Sequence, residues 1–166
     1  MRTRLIALVA ATLLTIAGAA LALADEYKLG WLVIVHPHAR ATPSNSPVSG
    51  GFMVIKNTGT ETDRLVGGSA TFSTGFQVHE MKMDGDVMMM RPVEGGLEIP
   101  AGDQVEFKPG GYHIMFTGLS GQLKPGEKRK ARLVFEKAGE IEVEFDVEDM
   151  KRGLDGTGHN ANGATE

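Results

Sequence analysis

The sequence contains no cysteine in its 166 residues. Disulfide bonds are therefore excluded, and a folded domain has to be stabilised by its own hydrophobic core. The thiolate ligand that blue-copper electron-transfer sites require is also missing. A hydrophobic fraction of 42% and a charged fraction of 23% are typical of one globular domain with a core of modest size.

Motifs of the common enzyme classes are missing as well. There is no Gly-x-Ser-x-Gly nucleophile elbow, no HExxH zinc-protease motif and no phosphate-binding P-loop. Acidic residues are frequent near the end of the chain, but there they alternate with hydrophobic residues, which is typical of a solvated strand face. No catalytic base or carboxylate pair can be named, and we expect a protein that is not an enzyme.

The first 24 residues differ in composition from the rest of the chain. Arg2 and Arg4 precede an apolar stretch over residues 5–23, and Ala22-Leu23-Ala24 matches an A-x-A cleavage site before Asp25. This pattern predicts a secretory signal peptide over residues 1–24 and a periplasmic protein without a membrane anchor after cleavage. An uncleaved anchor is the alternative, because the apolar stretch is nearly long enough to span a membrane. Without a lipobox cysteine, we expect no lipid anchor.

Residues 25–149 are predicted to form a single domain. From residue 25 onwards the chain carries 15 basic and 21 acidic side chains, a net charge of −6. It has no basic patch with interleaved aromatic residues, so we expect no nucleic-acid partner. Residues 150–166 are polar and rich in Gly and Asn, and we expect a disordered tail there.

Hydrophobic alternation between turn signals predicts a series of short β-strands. Pro37 is expected to end the first strand, and Gly67-Gly68 to break the third. Asp84-Gly85 predicts a two-residue hairpin. The predicted strands cover residues 29–36, 50–57, 64–69, 76–83, 87–93, 97–100, 104–108, 112–117, 131–136 and 140–147. Eight to ten short strands without a sustained helical period are typical of an antiparallel β-sandwich or Greek-key barrel.

Residues 79–115 contain two of the five histidines and six of the nine methionines. His113 and Met115 are two positions apart in an apolar run, so on a strand their side chains would point to one face. The predicted hairpin would bring His79 close to residues 88–90. Neutral imidazoles and thioethers favour Cu(I) over zinc and over hard cations. These residues therefore indicate a candidate Cu(I) site.

Methionine also has an ordinary role as a filler of hydrophobic cores. We interpret Met53 and Met150 in this way, and His79 taken alone would be an unremarkable strand histidine. Met88 and Met90 would share one face of a strand and Met89 the other. At least one of these three methionines is therefore expected to be exposed.

The stretch resembles the periplasmic copper chaperones called PCu(A)C, whose signature is H-x10-M-x21-H-x-M. His79 and Met90 have the ten-residue spacing, and His113-Ile114-Met115 supplies the H-x-M. The spacer over residues 91–112 has 22 residues, one more than the signature. We expect the extra residue in the turn at residues 94–96, with Met88 as the alternative to Met90. Segments 39–43, 99–102 and 108–113 are also similar to the family, and the resemblance covers residues 30–147.

This resemblance implies a cupredoxin-like β-barrel that binds Cu(I) through His79, Met90, His113 and Met115. It also implies delivery of the copper to the CuA centre of cytochrome c oxidase, either directly or through another oxidase-assembly copper chaperone. We expect a monomer. Many family members have a tryptophan at the position of His38.

Two other functions stay open at this stage. One is an exported β-sandwich without a metal. The other is a periplasmic copper storage or detoxification protein, similar to CopC-type β-sandwiches with an N-terminal histidine in a Cu(II) site, although cleavage here would leave Asp25 first. His36 and His38, which flank Pro37, could form an auxiliary Cu(II) site. The tail contains only His159, so we expect no strong site there.

Overall fold

A computed structural model describes residues 25–149, and all regular secondary structure in this range is β-strand. The predicted signal peptide, the predicted tail, Met150 and His159 lie outside the described residues. Within them, no helix could cross a membrane. The strands are β1 (Glu26–Leu29), β2 (Leu32–Arg40), β3 (Val48–Asn57), β4 (Asp63–Ala70), β5 (Ser73–Asp84), β6 (Val87–Pro92), β7 (Leu97–Ile99), β8 (Gln104–Phe107), β9 (Tyr112–Leu119), β10 (Lys128–Phe135) and β11 (Gly139–Glu148).

Eight of these strands close into a barrel. Their order is β5-β9-β8-β3-β2-β11-β10-β4, and β4 returns to β5 through the pairing of Ala70 with Ser73. The remaining strands extend the sheet, because β6 pairs with β5, β7 with β4 and β1 with β2. All pairs are antiparallel except β11–β2 and β8–β9. The predicted cupredoxin-like Greek-key β-barrel is thus confirmed, with eleven strands instead of eight to ten.

The core lies inside the barrel and is built from alternate residues of the strands. Phe116 is fully buried, and its ring centroid lies 4.8 Å from that of Phe72 and 5.4 Å from that of Phe145. Burying one such side chain stabilises the fold by roughly 1.5–3 kcal/mol. Met53 is 1% exposed in the same cluster, which confirms its interpretation as a core residue.

Pro37 does not end the strand in which it lies, so that prediction is wrong. β2 continues to Arg40, and Pro37 occupies a β-bulge where the pairing with β3 is interrupted between Val35 and His38. His36 has a φ of 50° at this bulge. Because the ladder is already interrupted there, the missing N–H of proline removes no strand-pairing hydrogen bond. The bulge keeps His36 and His38 on one continuous strand.

Gly67-Gly68 does not break its strand either, because β4 runs through both residues to Ala70. Gly68 is needed for close packing. A Cβ atom at this position would meet the backbone oxygen of Arg132 and would lie 2.7 Å from the ring of Phe76. The two glycines therefore mark a close approach of neighbouring groups instead of a turn.

The predicted two-residue hairpin is confirmed, with Gly85 and Asp86 as its loop residues, one position later than the Asp84-Gly85 signal. Asp84 pairs with Val87, and Gly85 has a φ of 63° between them. From this turn the register runs without a shift to the pair of His79 and Pro92. The spacer between Met90 and His113 is one residue longer than in the family signature, and this extra residue therefore lies after Pro92. Its place in the turn at residues 94–96 stays a prediction.

Candidate metal centre

His79 and His113 face each other across two neighbouring strands. They are direct partners in the antiparallel pairing of β5 with β9, and their ring centroids are 5.8 Å apart. Ile114, between His113 and Met115, is fully buried in the core. Side chains alternate along a strand, so His113 and Met115 both point to the outer face of the barrel. The predicted common face of these two residues is thus confirmed.

The hydrogen bonding of His113 leaves one ring nitrogen free for a metal. Its Nδ1 lies 3.1 Å from the backbone oxygen of Gly111. A carbonyl oxygen can only accept, so Nδ1 carries the proton and the lone pair is at Nε2. His113 is 8% exposed, and this burial restricts the orientation of its ring. An imidazole whose orientation is fixed in this way is a suitable metal ligand.

His79 also has a free ring nitrogen, but it is the other one. Its Nε2 lies 3.2 Å from the amide oxygen of Gln77, to which it donates. Its Nδ1 is buried and has no hydrogen-bond partner among the described residues. An unpaired buried nitrogen costs free energy that a metal ion would recover. Burial, and then the nearby charge of His113, lower the pKa of His79, so the neutral form that binds a metal is favoured.

The hairpin of β5 and β6 places a set of methionines on the same face as His79. Met81 is paired with Met90, and Met83 with Met88. Cross-strand partners point to the same side of a sheet, so Met88 and Met90 share the face of His79. Met89 points to the opposite face. Met88, Met89 and Met90 are 52%, 39% and 47% exposed, which confirms that the three are not all core residues.

A cleft of about 300 Å³ opens beside His113. Its lining includes Met81, His113, Met115, Phe52, Arg40 and Pro109. His79 is adjacent to the cleft through His113, and Met90 lies across the hairpin from Met81. The structure therefore brings His79, His113 and Met115 together, whereas Met90 is one strand further out. Met81 is a further residue of the cleft that was not among the predicted ligands, although its position two residues after His79 indicates that it shares the same strand face.

The chemistry of these groups fits a soft monovalent cation. The available donors are neutral imidazole nitrogens and thioether sulfurs, and no acidic side chain of the described residues lines the cleft. Arg40 supplies a fixed positive charge, which repels a divalent cation about twice as strongly as a monovalent one. The donor set and this charge together favour Cu(I) over Zn(II) or Cu(II) in the cleft.

The sequence matches a known family and a curated relative. A family model described as "Putative lipoprotein LpqE-like" matches residues 32–147. The relative is "Putative lipoprotein Lxx21020" of Leifsonia xyli subsp. xyli (strain CTCB07), 32% identical over 107 residues. The matched part is 64% of this chain and 64% of that protein, so the chain spans a little under two thirds of its relative.

The fold is similar to that of several solved structures. The copper-bound PCuAC domain from PmoF2 has a TM-score of 0.65 and 28% identity, covering 75% of this chain and 98% of that domain. The apo PCuAC domain from PmoF1 has a TM-score of 0.65 and 23% identity, covering 75% of this chain and 99% of that domain. Cu(I)-bound DR1885 from Deinococcus radiodurans has a TM-score of 0.52 and 24% identity, covering 68% of this chain and 74% of that protein. The last two likenesses support the barrel fold alone.

Proposed function

The chain belongs to the LpqE-like family, and we propose that it is an exported copper chaperone that carries Cu(I) on the outer face of its β-barrel. The observation that carries this proposal is the pair of His79 and His113, each with one free ring nitrogen, on the strand face that also carries Met115. The likeness to a PCuAC domain whose structure holds copper supports the same function.

The proposed ligands are Nδ1 of His79, Nε2 of His113 and the sulfur atoms of Met115 and Met90. The first three are supported by their common position next to the cleft. Met90 is supported by its uninterrupted hairpin register and its place opposite Met81. Because Met90 is 47% exposed and lies one strand further out, its sulfur reaches the ion only if its flexible side chain folds back over the face.

A surface site of this kind permits both uptake and release of copper. The methionines near the hairpin tip stand partly in solvent, so an incoming acceptor can replace one thioether while the buried His113 still holds the ion. Neutral ligands add no charge that would trap Cu(I), and each bond can be exchanged in turn. We therefore propose that Met90 is released first and His113 last.

The proposed acceptor is the CuA centre of cytochrome c oxidase, or another copper chaperone that serves oxidase assembly. Delivery there would require a periplasmic location, to which the proposed signal peptide of residues 1–24 would direct the chain before its cleavage. The lipoprotein description belongs to the family model and to the relative, while this sequence contains no cysteine. We further propose that the chaperone acts as a monomer and has no enzymatic activity of its own.

Binding is tested by titrating the protein with Cu(I) in competition with a coloured Cu(I) chelator. We expect one Cu(I) per chain, and a loss of affinity of at least about 10-fold in His113→Ala and in Met115→Ala. Met89→Ala is the matched control, because it removes an exposed thioether from the opposite face of β6. Unchanged affinity in both ligand variants would disprove the proposed site.

Delivery is tested by mixing the Cu(I)-loaded protein with isolated acceptor domains and weighing each partner by native mass spectrometry. We expect the copper to leave the loaded protein and appear on a CuA domain or on an oxidase-assembly chaperone. If Cu(I) is bound but transferred to none of them, the delivery proposal fails and storage or detoxification becomes the better function. If no copper is bound at all, the protein is a metal-free exported module.

A further inference from the structure

A second cluster of metal-binding side chains lies outside the Cu(I) cleft. His36 and His38 on β2 lie close to Glu148 at the end of β11, and one ligand atom from each of the three falls within 4.8 Å of the others. Nε2 of His36 is 3.0 Å from Oε1 of Glu148. The two imidazole centroids are 4.7 Å apart. We propose that His36, His38 and Glu148 form a separate site for one Cu(II) ion.

The backbone explains why these groups meet. The bulge at Pro37 gives His36 a φ of 50°, a conformation that a residue other than glycine rarely adopts. Among the described residues, His36 is the only residue other than glycine with a positive φ. β11 runs parallel to β2 at this point and pairs Asp146 with His38 and Glu148 with Arg40, so the side chain of Glu148 can reach the two histidines from the end of its strand. The site therefore combines residues that are 110 positions apart in the sequence.

The hydrogen bonds of the two imidazoles leave suitable atoms for an ion. Nδ1 of His38 lies 3.0 Å from the backbone oxygen of His36, so it carries the proton and Nε2 keeps its lone pair. Phe52 packs against the same ring, with centroids 5.4 Å apart, and holds its orientation. At His36, an ion would take the place of the proton shared with Glu148 and release that proton to solvent.

The separations are close to those of a real site. Two atoms that are each about 2.0–2.1 Å from one ion can be at most roughly 4 Å apart. The atoms of His36 and Glu148 already meet this limit. The remaining gap can close by side-chain rotation, because the side chains of His36 and Glu148 are 44% and 26% exposed.

The donor set selects a different ion from the one proposed for the cleft. Two imidazoles and one carboxylate are borderline to hard ligands, and the negative charge of Glu148 opposes the positive charge of Arg40, its partner in the strand pairing. Such a set favours divalent ions, and among the first-row divalent ions Cu(II) binds most tightly. With no thioether in the cluster, Cu(I) has no advantage there. His38 lies opposite Phe52 and Phe52 lines the cleft, so the two sites are neighbours on the outer face of the barrel.

The test is a titration of the full chain with Cu(II) under air, followed by electron paramagnetic resonance and competition with glycine. We expect one Cu(II) with nitrogen coupling. His38→Ala should weaken binding at least about 10-fold and change the spectrum, and Glu148→Gln should weaken binding by a similar factor. Glu106→Gln is the matched control, since it removes an exposed carboxylate elsewhere. Circular dichroism confirms that each variant is folded, and His36→Gln serves as a second ligand variant.

Several outcomes would overturn the proposal. They are unchanged Cu(II) affinity in His38→Ala and Glu148→Gln, loss of binding in His113→Ala or His159→Ala instead, or binding of Zn(II) without Cu(II). The proposal does not depend on the Cu(I) function. His113→Ala and Met115→Ala should lose Cu(I) and keep Cu(II), whereas His38→Ala should lose Cu(II) and keep Cu(I).

Discussion

His79 and His113 are direct cross-strand partners, and the free lone pair is on Nδ1 in His79 but on Nε2 in His113. The difference arises from local hydrogen bonds, because Gln77 accepts from one ring and the backbone of Gly111 accepts from the other. Two imidazoles at a ring distance of 5.8 Å can therefore offer two nitrogens to one ion from different edges of their rings.

Replacing single methionines by leucine distinguishes the thioether ligands. We expect Met90→Leu to weaken Cu(I) binding at least about 10-fold. Met81→Leu should have a smaller effect, since Met81 lines the cleft without being one of the four proposed ligands. Met88→Leu and Met89→Leu should leave the affinity unchanged. Competition titration gives the affinities, and X-ray absorption counts the sulfur ligands. A stronger loss in Met81→Leu than in Met90→Leu would transfer the ligand role to Met81.

The lowered pKa of His79 makes the stability of the apo protein depend on pH. Burial and the nearby His113 lower its pKa in the folded state below the ordinary value of about 6.5. The unfolded chain therefore binds this proton more readily than the folded chain. The stability that neutral His79 contributes is complete above about pH 6.5 and is lost as the pH falls through the pKa of the folded state. NMR titration should find His79 below 6.5, and His113→Gln should raise its pKa. An unchanged pKa in that variant would contradict the proposed repulsion.

The two neighbouring glycines of β4 should differ sharply when each is replaced by alanine. At Gly68 the added methyl group would collide with the backbone of Arg132 and the ring of Phe76, and we expect a loss of about 1–3 kcal/mol in the free energy of unfolding. At Gly67 the space is open within 4 Å, so Gly67→Ala should change it by less than about 0.5 kcal/mol. Urea denaturation measures both, and equal effects would contradict the packing.

Asp63 should be important for stability although it belongs to neither candidate metal site. It is 1% exposed, and its carboxylate accepts from the backbone N–H groups of Arg64, Lys137 and Ala138 at 2.7–2.9 Å. In Asp63→Asn one acceptor oxygen becomes a donor that faces another donor. We expect a loss of about 1–3 kcal/mol by urea denaturation. Asp103→Asn, at an exposed position, is the control and should have little effect.

The sequence was sufficient to predict the barrel and the common face of His113 and Met115, because both depend on local patterns. Alternation predicts the strands, and the H-x-M spacing alone places His113 and Met115 on one face. The pairing of β5 with β9, which sets His79 against His113, joins segments 34 residues apart and cannot be read from either segment alone. Met81 was missed for a related reason, since its place in the cleft depends on Gly111 and Pro109 of a later segment.

The second cluster shows a different limit of sequence reasoning. The His-Pro-His spacing indicates a candidate metal site at His36 and His38, but the same proline predicts that the strand ends at Pro37. A strand tolerates an internal proline where a bulge interrupts its pairing, and whether such a bulge forms depends on the partner strand. The sequence of β2 alone does not reveal it. Glu148 could not be predicted as the third member of this cluster, because the parallel pairing of β11 with β2 is a property of the closed barrel.

The position of β6 at the end of the strand order has a consequence for self-association. Within residues 25–149, β6 pairs with β5 on one side and has no strand on the other, so its outer backbone groups are available to a second chain. An apolar edge of this kind invites aggregation. β6 has only six residues, ends at Pro92 and carries Arg91, which pairs with Asp84 at 3.0 Å. A short edge with a terminal proline and a charged pair lets the chain expose its thioethers while discouraging sheet growth.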